Sequence, residues 1–234
     1  MYAIVTGASS GIGKSIAIAL ARGGYEIATL SRDEEKLNRL KTELRAVSPK
    51  QGSLLVKGDL LNVSDVAQFN QMLREKKGVP DLIVNCAGIY SEVQPSKLSE
   101  TMLHEQININ FFGAFRITQP WIEDFKHRGS GLIISIGSIV TRHPRTSAVA
   151  YTLSKQLLDN WMKLLADELR DAGVKVTRII PGAVITPSWD NEPDELKKNT
   201  IRPEEIARTV NLVLSLPGEG WLEEVIIRPL AKNR

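Results

Sequence analysis

The strongest constraint on the fold sits in the first turn of the chain. An apolar run, Tyr2-Ala3-Ile4-Val5-Thr6, passes directly into Gly7-Ala8-Ser9-Ser10-Gly11-Ile12-Gly13, and helical periodicity opens behind it. Three glycines in a strand-to-helix turn permit a tight bend. They also let backbone N–H groups approach an anion such as a pyrophosphate, to which a helix N-terminus adds partial positive charge. Glycines can equally do no more than close a tight turn, so the weight of the pattern depends on the rest of the chain.

Beyond this turn the chain alternates regularly. Apolar runs at Tyr2–Thr6, Glu26–Leu30, Ser53–Lys57, Asp81–Asn85, Gly131–Ile136, Lys175–Ile180 and Glu224–Ile227 predict strands. Between them, helical periodicity covers Gly11–Arg22, Glu34–Val47, Val63–Lys76, Ser99–Lys126, Val149–Asp171 and Pro203–Leu216. Short strands alternating with longer helices predict right-handed βαβ units and a parallel sheet. Leu82-Ile83-Val84 and Leu132-Ile133-Ile134 are apolar at successive positions, as strands covered on both faces are. No Gly-, Ser- or Pro-rich linker divides the chain. The expectation is one α/β domain over residues 1–234: a doubly wound parallel sheet of about seven strands with helices on both faces.

Composition removes several function classes. Hydrophobic residues at 42% and charged residues at 24% are ordinary for a globular chain. Thirty Lys and Arg against 27 Asp and Glu leave a net charge of +3, too little to suggest a nucleic-acid or membrane-surface binder. No run of about 20 apolar residues predicts a membrane span, and the N-terminus lacks a signal-peptide pattern. Cys86 is the single cysteine, so no internal disulfide is possible and a reducing, cytoplasmic setting is expected. One cysteine and three scattered histidines (His104, His127, His143) predict no metal site.

The chemistry-bearing residues gather at predicted strand ends. Tyr151 and Lys155 stand one helical turn apart, so a phenol and an ammonium can share a site. A nearby cation favours phenolate, and the expectation is that Lys155 lowers the Tyr151 pKa and fits Tyr151 for proton exchange. Ser138 follows the fifth strand, 13 residues upstream of Tyr151. Both then lie at the carboxyl edge of the sheet, where open α/β folds bind ligands. The second strand ends in Ser31-Arg32, about 20 residues beyond the glycines, where an acid commonly binds a ribose 2′-hydroxyl. A hydroxyl and a guanidinium there suit a 2′-phosphate instead, although Arg32 can also be a solvated surface residue. Asp33, followed by Glu34 and Glu35, reads as a helix N-cap.

Thr-Gly-x-x-x-Gly-x-Gly at the first turn, with Tyr-x-x-x-Lys at 151–155, resembles the short-chain dehydrogenase/reductase family. Asn85-Cys86-Ala87-Gly88 is similar to that family's Asn-x-Ala-Gly segment, and Pro181-Gly182-Ala183-Val184-Ile185-Thr186 to its Pro-Gly-x-Val-x-Thr segment. Seven motifs occur in order from residue 3 to about residue 216. The resemblance implies a Rossmann-type fold, an NADP(H) cofactor with NAD(H) less favoured, and a small carbonyl or alcohol substrate. It implies a tetrad of Asn110, Ser138, Tyr151 and Lys155, with Asn110 holding a water that links Lys155 to solvent. It implies cofactor contacts from Gly7, Ser9, Ser10, Gly11, Ile12, Gly13, Ser31, Arg32, Asp59, Leu60, Asn85, Ala87, Gly88, Tyr151, Lys155, Pro181, Gly182, Val184 and Thr186. Asp59 in that role would meet the adenine amino group; the alternative is a turn aspartate leading a helix. Cys86 is then a packing residue. Hydride would travel on the pro-S face of the nicotinamide.

Substrate choice falls to the loops at Ile89–Leu98, Ile139–Ala148 and Thr186–Thr200. The last, with Trp189 and the charged run Asp190–Lys198, is a candidate lid over residues 186–200. Arg142, His143 and Arg145 put positive charge beside the expected mouth, either for an anionic substrate or as a solvated loop. The C-terminal segment departs from the glycine-rich tail of 3-oxoacyl carrier-protein reductases and is nearer to reductases of small hydroxy acids or diverse carbonyls. An exposed edge strand at Val225–Ile227 and the two long helices predict a homodimer or homotetramer. The other function class left open is a non-catalytic NADP(H)-binding sensor or scaffold.

Overall fold

The computed structural model describes residues 1–50, 52–186, 199–216 and 220–230. Seven parallel strands form one sheet: β1 (Tyr2–Val5), β2 (Glu26–Ser31), β3 (Ser53–Lys57), β4 (Leu82–Asn85), β5 (Gly131–Ile136), β6 (Val174–Pro181) and β7 (Glu224–Ile227). Their order across the sheet is β3-β2-β1-β4-β5-β6-β7. The order reverses between β1 and β4, and a crevice opens beyond the carboxyl ends of strands at such a point.

The helices are α1 (Gly11–Arg22), α2 (Glu34–Val47), α3 (Val63–Lys77), α4 (Glu100–Ile107), α5 (Gly113–Thr118), α6 (Ile122–Arg128), α7 (Val149–Leu169) and α8 (Pro203–Ser215). Successive strand residues feed two separate cores. Ala3, Val5, Leu82, Val84, Leu132 and Ile134 pack against Ile16, Leu20, Leu40 and Ile206, beneath α1, α2 and α8. Ile4, Ile83 and Ile133 pack against Phe69, Ile117, Phe125 and Met162, beneath α3, α5, α6 and α7. The doubly wound, doubly covered sheet expected from the sequence is therefore what the chain adopts.

One expected element differs. The helix anticipated over Ser99–Lys126 is three α-helices joined by a π-helical turn at Asn108–Phe112 and a 3-10 turn at Gln119–Trp121. Pro120 cannot donate an N–H, which accounts for the second break. The first inserts an extra residue per turn, and such bulges commonly serve to aim a side chain. Here the side chain is Asn110, fully buried.

Asp33 caps α2 by accepting from the Lys36 N–H at 2.9 Å, the cap role read from the sequence. Among the described residues, no helix is long and apolar enough to cross a membrane.

Candidate active site

The turn after β1 is fixed by contacts that exclude larger residues. Gly7 takes φ +69°, a left-handed conformation that favours glycine. A Cβ on Gly13 would lie 2.3 Å from the Gly7 carbonyl oxygen, so only glycine lets α1 start this close to β1. Ser10, the N-cap of α1, makes no side-chain capping bond, and the first turn of α1 holds no acid. The first-turn N–H groups therefore keep their donor capacity.

The neighbouring strand ends complete this side of the crevice. The Ser31 hydroxyl lies 3.2 Å from that of Ser9. The exposed Arg32 guanidinium stands 3.8 Å from Asp59, and Asp59 also accepts from the Leu61 N–H at 2.9 Å, the bond of a turn aspartate. Leu60 packs against the apolar core beneath α3 and α5. Asn85 turns inward and donates to Thr118 of α5 at 2.8 Å, so the Asn85–Gly88 turn presents backbone, not this amide, to the crevice. Thr6 braces that turn by accepting from the Cys86 and Ala87 N–H groups at 2.9 and 3.0 Å. Sequence reasoning missed Thr6, although its place between strand and glycine was the available signal. Burial pushes the Cys86 thiol up to about 12, which suits a packing residue better than a nucleophile.

The four residues of the expected tetrad come together across the crevice. Ser138 opens a 3-10 turn (Ile139–Thr141) after β5. Its hydroxyl accepts from the Val140 N–H at 3.4 Å and faces Tyr151, at the start of α7, closely enough to favour the ionised phenol. Lys155 is buried, and its Nζ donates to the Ile136 carbonyl at 3.1 Å. Asn110 accepts from the Ile89 N–H at 2.8 Å and donates to the Ile89 carbonyl at 3.1 Å and to Ser154 of α7 at 2.9 Å. Gly88 lies between the two: a Cβ there would be 2.9 Å from Asn110 Oδ1 and 3.4 Å from Lys155 Nζ.

The electrostatics correct one expectation. Burial raises the Tyr151 hydroxyl above its ordinary value; the neighbouring Ser138 hydroxyl and the Arg145 charge pull against that rise. Lys155 does not supply the expected pull. Its Nζ sits over the Tyr151 ring, 5.9 Å from the centroid, and is turned to a carbonyl. Burial also lowers Lys155 itself to about 8.

On the far side of the crevice, Pro181 ends β6 and the Gly182 N–H donates to the Ile227 carbonyl at 2.7 Å. Val184 is buried and bridges to Ile201, which pins this segment beside the strand ends. Of the lid expected over residues 186–200, Thr186 and residues 199–200 are described. Residues 187–198, with Trp189, lie outside the described residues.

The loops add two groups. The Tyr90 ring stands edge-on to Tyr151 with centroids 5.0 Å apart, and its hydroxyl donates to Glu92 at 2.8 Å. Tyr90 was not singled out in the sequence; its position in the loop after Gly88 was the only hint. The expected basic mouth is corrected. Arg142 is turned inward onto Asp159 and Glu224, at 2.9 and 2.6 Å, because those carboxylates neutralise a partly buried guanidinium better than an open loop does. Arg145 is exposed and near Tyr151.

The comparisons with known proteins decide the family. The family model for short chain dehydrogenase matches residues 1–197. This chain belongs to that family. An oxidoreductase of Staphylococcus aureus (strain MW2) is 30% identical, over 97% of this chain and 96% of its own. A sepiapterin reductase of Chlorobaculum tepidum is also 30% identical, over 97% and 95%. The solved alcohol dehydrogenase of the archaeon Thermococcus sibiricus, complexed with 5-hydroxy-NADP, superposes with a TM-score of 0.85 at 29% identity. That match covers 100% of this chain and 98% of that one. The chain is thus an oxidoreductase of the short-chain dehydrogenase family, with relatives whose names point to different substrates.

Proposed function

We propose that this protein is an NADP(H)-dependent oxidoreductase that interconverts a small carbonyl compound and its alcohol. The observation that carries the reading is the Ser138–Tyr151 hydroxyl pair at the sheet's carboxyl edge, with Lys155 over the Tyr151 ring. The residues present fit the dinucleotide. The uncapped start of α1, with no acid in its first turn, suits a pyrophosphate. The Ser9 and Ser31 hydroxyls with the Arg32 guanidinium suit a 2′-phosphate, and the second strand carries no acid at its end to repel one. Asp59, Leu60, Ala87, Gly88, Pro181, Gly182, Val184 and Thr186 would line the adenine and nicotinamide ends. When bound, the dinucleotide supplies or accepts the hydride.

The remaining chemistry belongs to the chain. Ser138 donates a hydrogen bond to the substrate oxygen and orients it. Tyr151 gives that oxygen a proton in reduction and takes it back in oxidation. Lys155, buried with a value of about 8, exchanges its own proton near neutral pH and provides the charge over the Tyr151 ring. Asn110 fixes the Ile89 backbone and α7 against each other. The apolar side chains exposed on α4, α7 and β7, among them Met102, Leu164 and Ile226, are surfaces on which copies of the chain would pair as a homodimer or homotetramer.

The test is a panel of ketones, diketones and 3-oxoacyl thioesters with NADPH or NADH, followed by loss of the reduced cofactor's absorbance. NADPH-dependent reduction of at least one class supports the reading. A folded protein that binds NADPH and turns over none of them overturns it in favour of a sensor or scaffold.

A further inference from the structure

Among the described residues, the largest cluster of linked charges lies beside the reacting pair, not in it. Asp159 projects from α7 one turn beyond Lys155 and two turns beyond Tyr151, about 12 Å along the helix from Tyr151. Only 6% of it is exposed. Its two oxygens receive Arg142 at 2.9 Å, Lys163 at 2.9 Å and Arg178 of β6 at 3.2 Å. Glu224 of β7 takes Arg142 through two nitrogens, at 2.6 and 3.3 Å, and Arg178 at 2.7 Å. Removing one member of such a buried set strands its partners. Burial pushes the Asp159 carboxyl up, but the Arg142 and Lys163 bonds outweigh it and hold Asp159 below its ordinary value.

A hydrogen-bonded path leads from this cluster to Ser138. Arg142 Nη1, which holds Asp159, also donates to Thr141 Oγ1 at 3.2 Å. Thr141 Oγ1 donates in turn to the Ser138 carbonyl at 2.9 Å. The turn that carries Ser138 is thereby tied to the helix that carries Tyr151. The two hydroxyls come from different elements, and their pairing depends on the spacing of those elements.

We propose that Asp159, Arg142 and Thr141 are positioning residues that set the Ser138 hydroxyl against Tyr151, with Glu224 of the last strand clamping Arg142 in place. This rests on the reading of Ser138 and Tyr151 as the reacting pair. None of the three positioning residues needs to touch substrate. Misplacement by about 1 Å at a reacting centre can cost on the order of a hundredfold in rate.

Thr141→Val is the decisive variant, because it cuts the path to Ser138 and leaves every ion pair standing. It is measured on the fastest carbonyl compound of the panel. The expected result is a fall in kcat of about tenfold or more, with the Kd for NADPH unchanged and the thermal midpoint near that of the parent. Thr141→Ser restores kcat.

The groups facing Tyr151 are Ser138, Arg145, Tyr90 and Lys155. Of these, the Thr141→Val change disturbs Ser138, whose hydroxyl beside Tyr151 works against the rise that burial causes. The pH profile for alcohol oxidation, which needs the phenolate, therefore moves to higher pH. An activity-independent reading comes from tyrosine labelled at Cζ with carbon-13: the Tyr151 resonance, assigned by its loss in Tyr151→Phe, shifts in Thr141→Val and in Arg142→Gln. Parent-like kcat, pH profile and Tyr151 resonance in a folded Thr141→Val protein overturn the inference. The reading of the reacting pair fails separately, if Tyr151→Phe keeps its turnover.

Discussion

Lys155 Nζ lies over the ring of Tyr151, 5.9 Å from its centroid, and donates to the Ile136 carbonyl at 3.1 Å. A buried ammonium held by one neutral carbonyl is a cost to the fold. The distance between the ordinary lysine value of 10.5 and about 8 corresponds to roughly 3 kcal/mol at neutral pH. Loss of the Ile136 bond would return about 1 kcal/mol of that. Lys155→Met is therefore expected to abolish turnover and yet raise stability by on the order of 2 kcal/mol, a few degrees in Tm for a chain of this length. The pH dependence has a definite sign. Below about pH 8 the ammonium is charged in both folded and unfolded chains, and the full penalty applies. Between about 8 and 10.5 the folded chain has lost a proton that the unfolded chain keeps, so the parent gains stability as pH rises. The advantage of Lys155→Met should be largest below pH 8 and fade toward 10.5. Thermal melts across that range check it; an advantage independent of pH would mean that burial does not lower Lys155 from its ordinary value.

Tyr151→Phe removes the hydroxyl and leaves the ring against Tyr90 and Lys155. Turnover should fall by about a hundredfold to ten-thousandfold, the span of a lost general acid, while NADPH affinity holds. Steady-state rates and a fluorescence titration with NADPH check the two halves. Turnover within threefold of the parent would remove Tyr151 from the mechanism.

Arg32 is tested by cofactor choice. Its guanidinium is exposed and pairs with Asp59 at 3.8 Å, a contact weak enough to yield to a phosphate. Arg32→Ala should cut the preference for NADPH over NADH about tenfold, the scale of one hydrogen bond to a charged group, with kcat little changed. An unchanged ratio of kcat/KM for the two cofactors would assign the preference to other residues.

The sheet was legible in the sequence because each strand is short, apolar and bounded by a turn, and each helix between them shows its period. The glycine turn, Ser138, Tyr151 and Lys155 stood out in the sequence because the chemistry proposed for them needs fixed residue types at fixed spacings, and the fold brings them to the carboxyl edge of the sheet. The features that stayed hidden depended on long-range packing. The π turn at Asn108–Phe112 leaves no mark in periodicity, since its purpose is to aim Asn110 at Ile89 and Ser154. Arg142 read as surface charge because its partners, Asp159 and Glu224, are 17 and 82 residues away in the chain. The direction of the Tyr151 shift was misjudged for a similar reason. Spacing along a helix says that two side chains share a face, but not that the ammonium turns to a strand carbonyl.

Gly88 tests how closely the site is packed. It lies between Asn110 and Lys155, and an added Cβ would sit 2.9 Å from one and 3.4 Å from the other. The Asn110 amide is held by Ile89 and Ser154 and has little freedom to retreat. Gly88→Ala should therefore cost about 1–3 kcal/mol as an overpacked core does. It should also lower kcat more than that loss of stability explains, because the strain falls on Lys155, which lies over the Tyr151 ring, and on Asn110, which holds the start of α7 through Ser154. The check is kcat measured well below the variant's melting temperature, beside its denaturant midpoint. A variant with parent-like kcat and lowered stability would show that the spacing of Asn110 and Lys155 matters to the fold and not to the reaction.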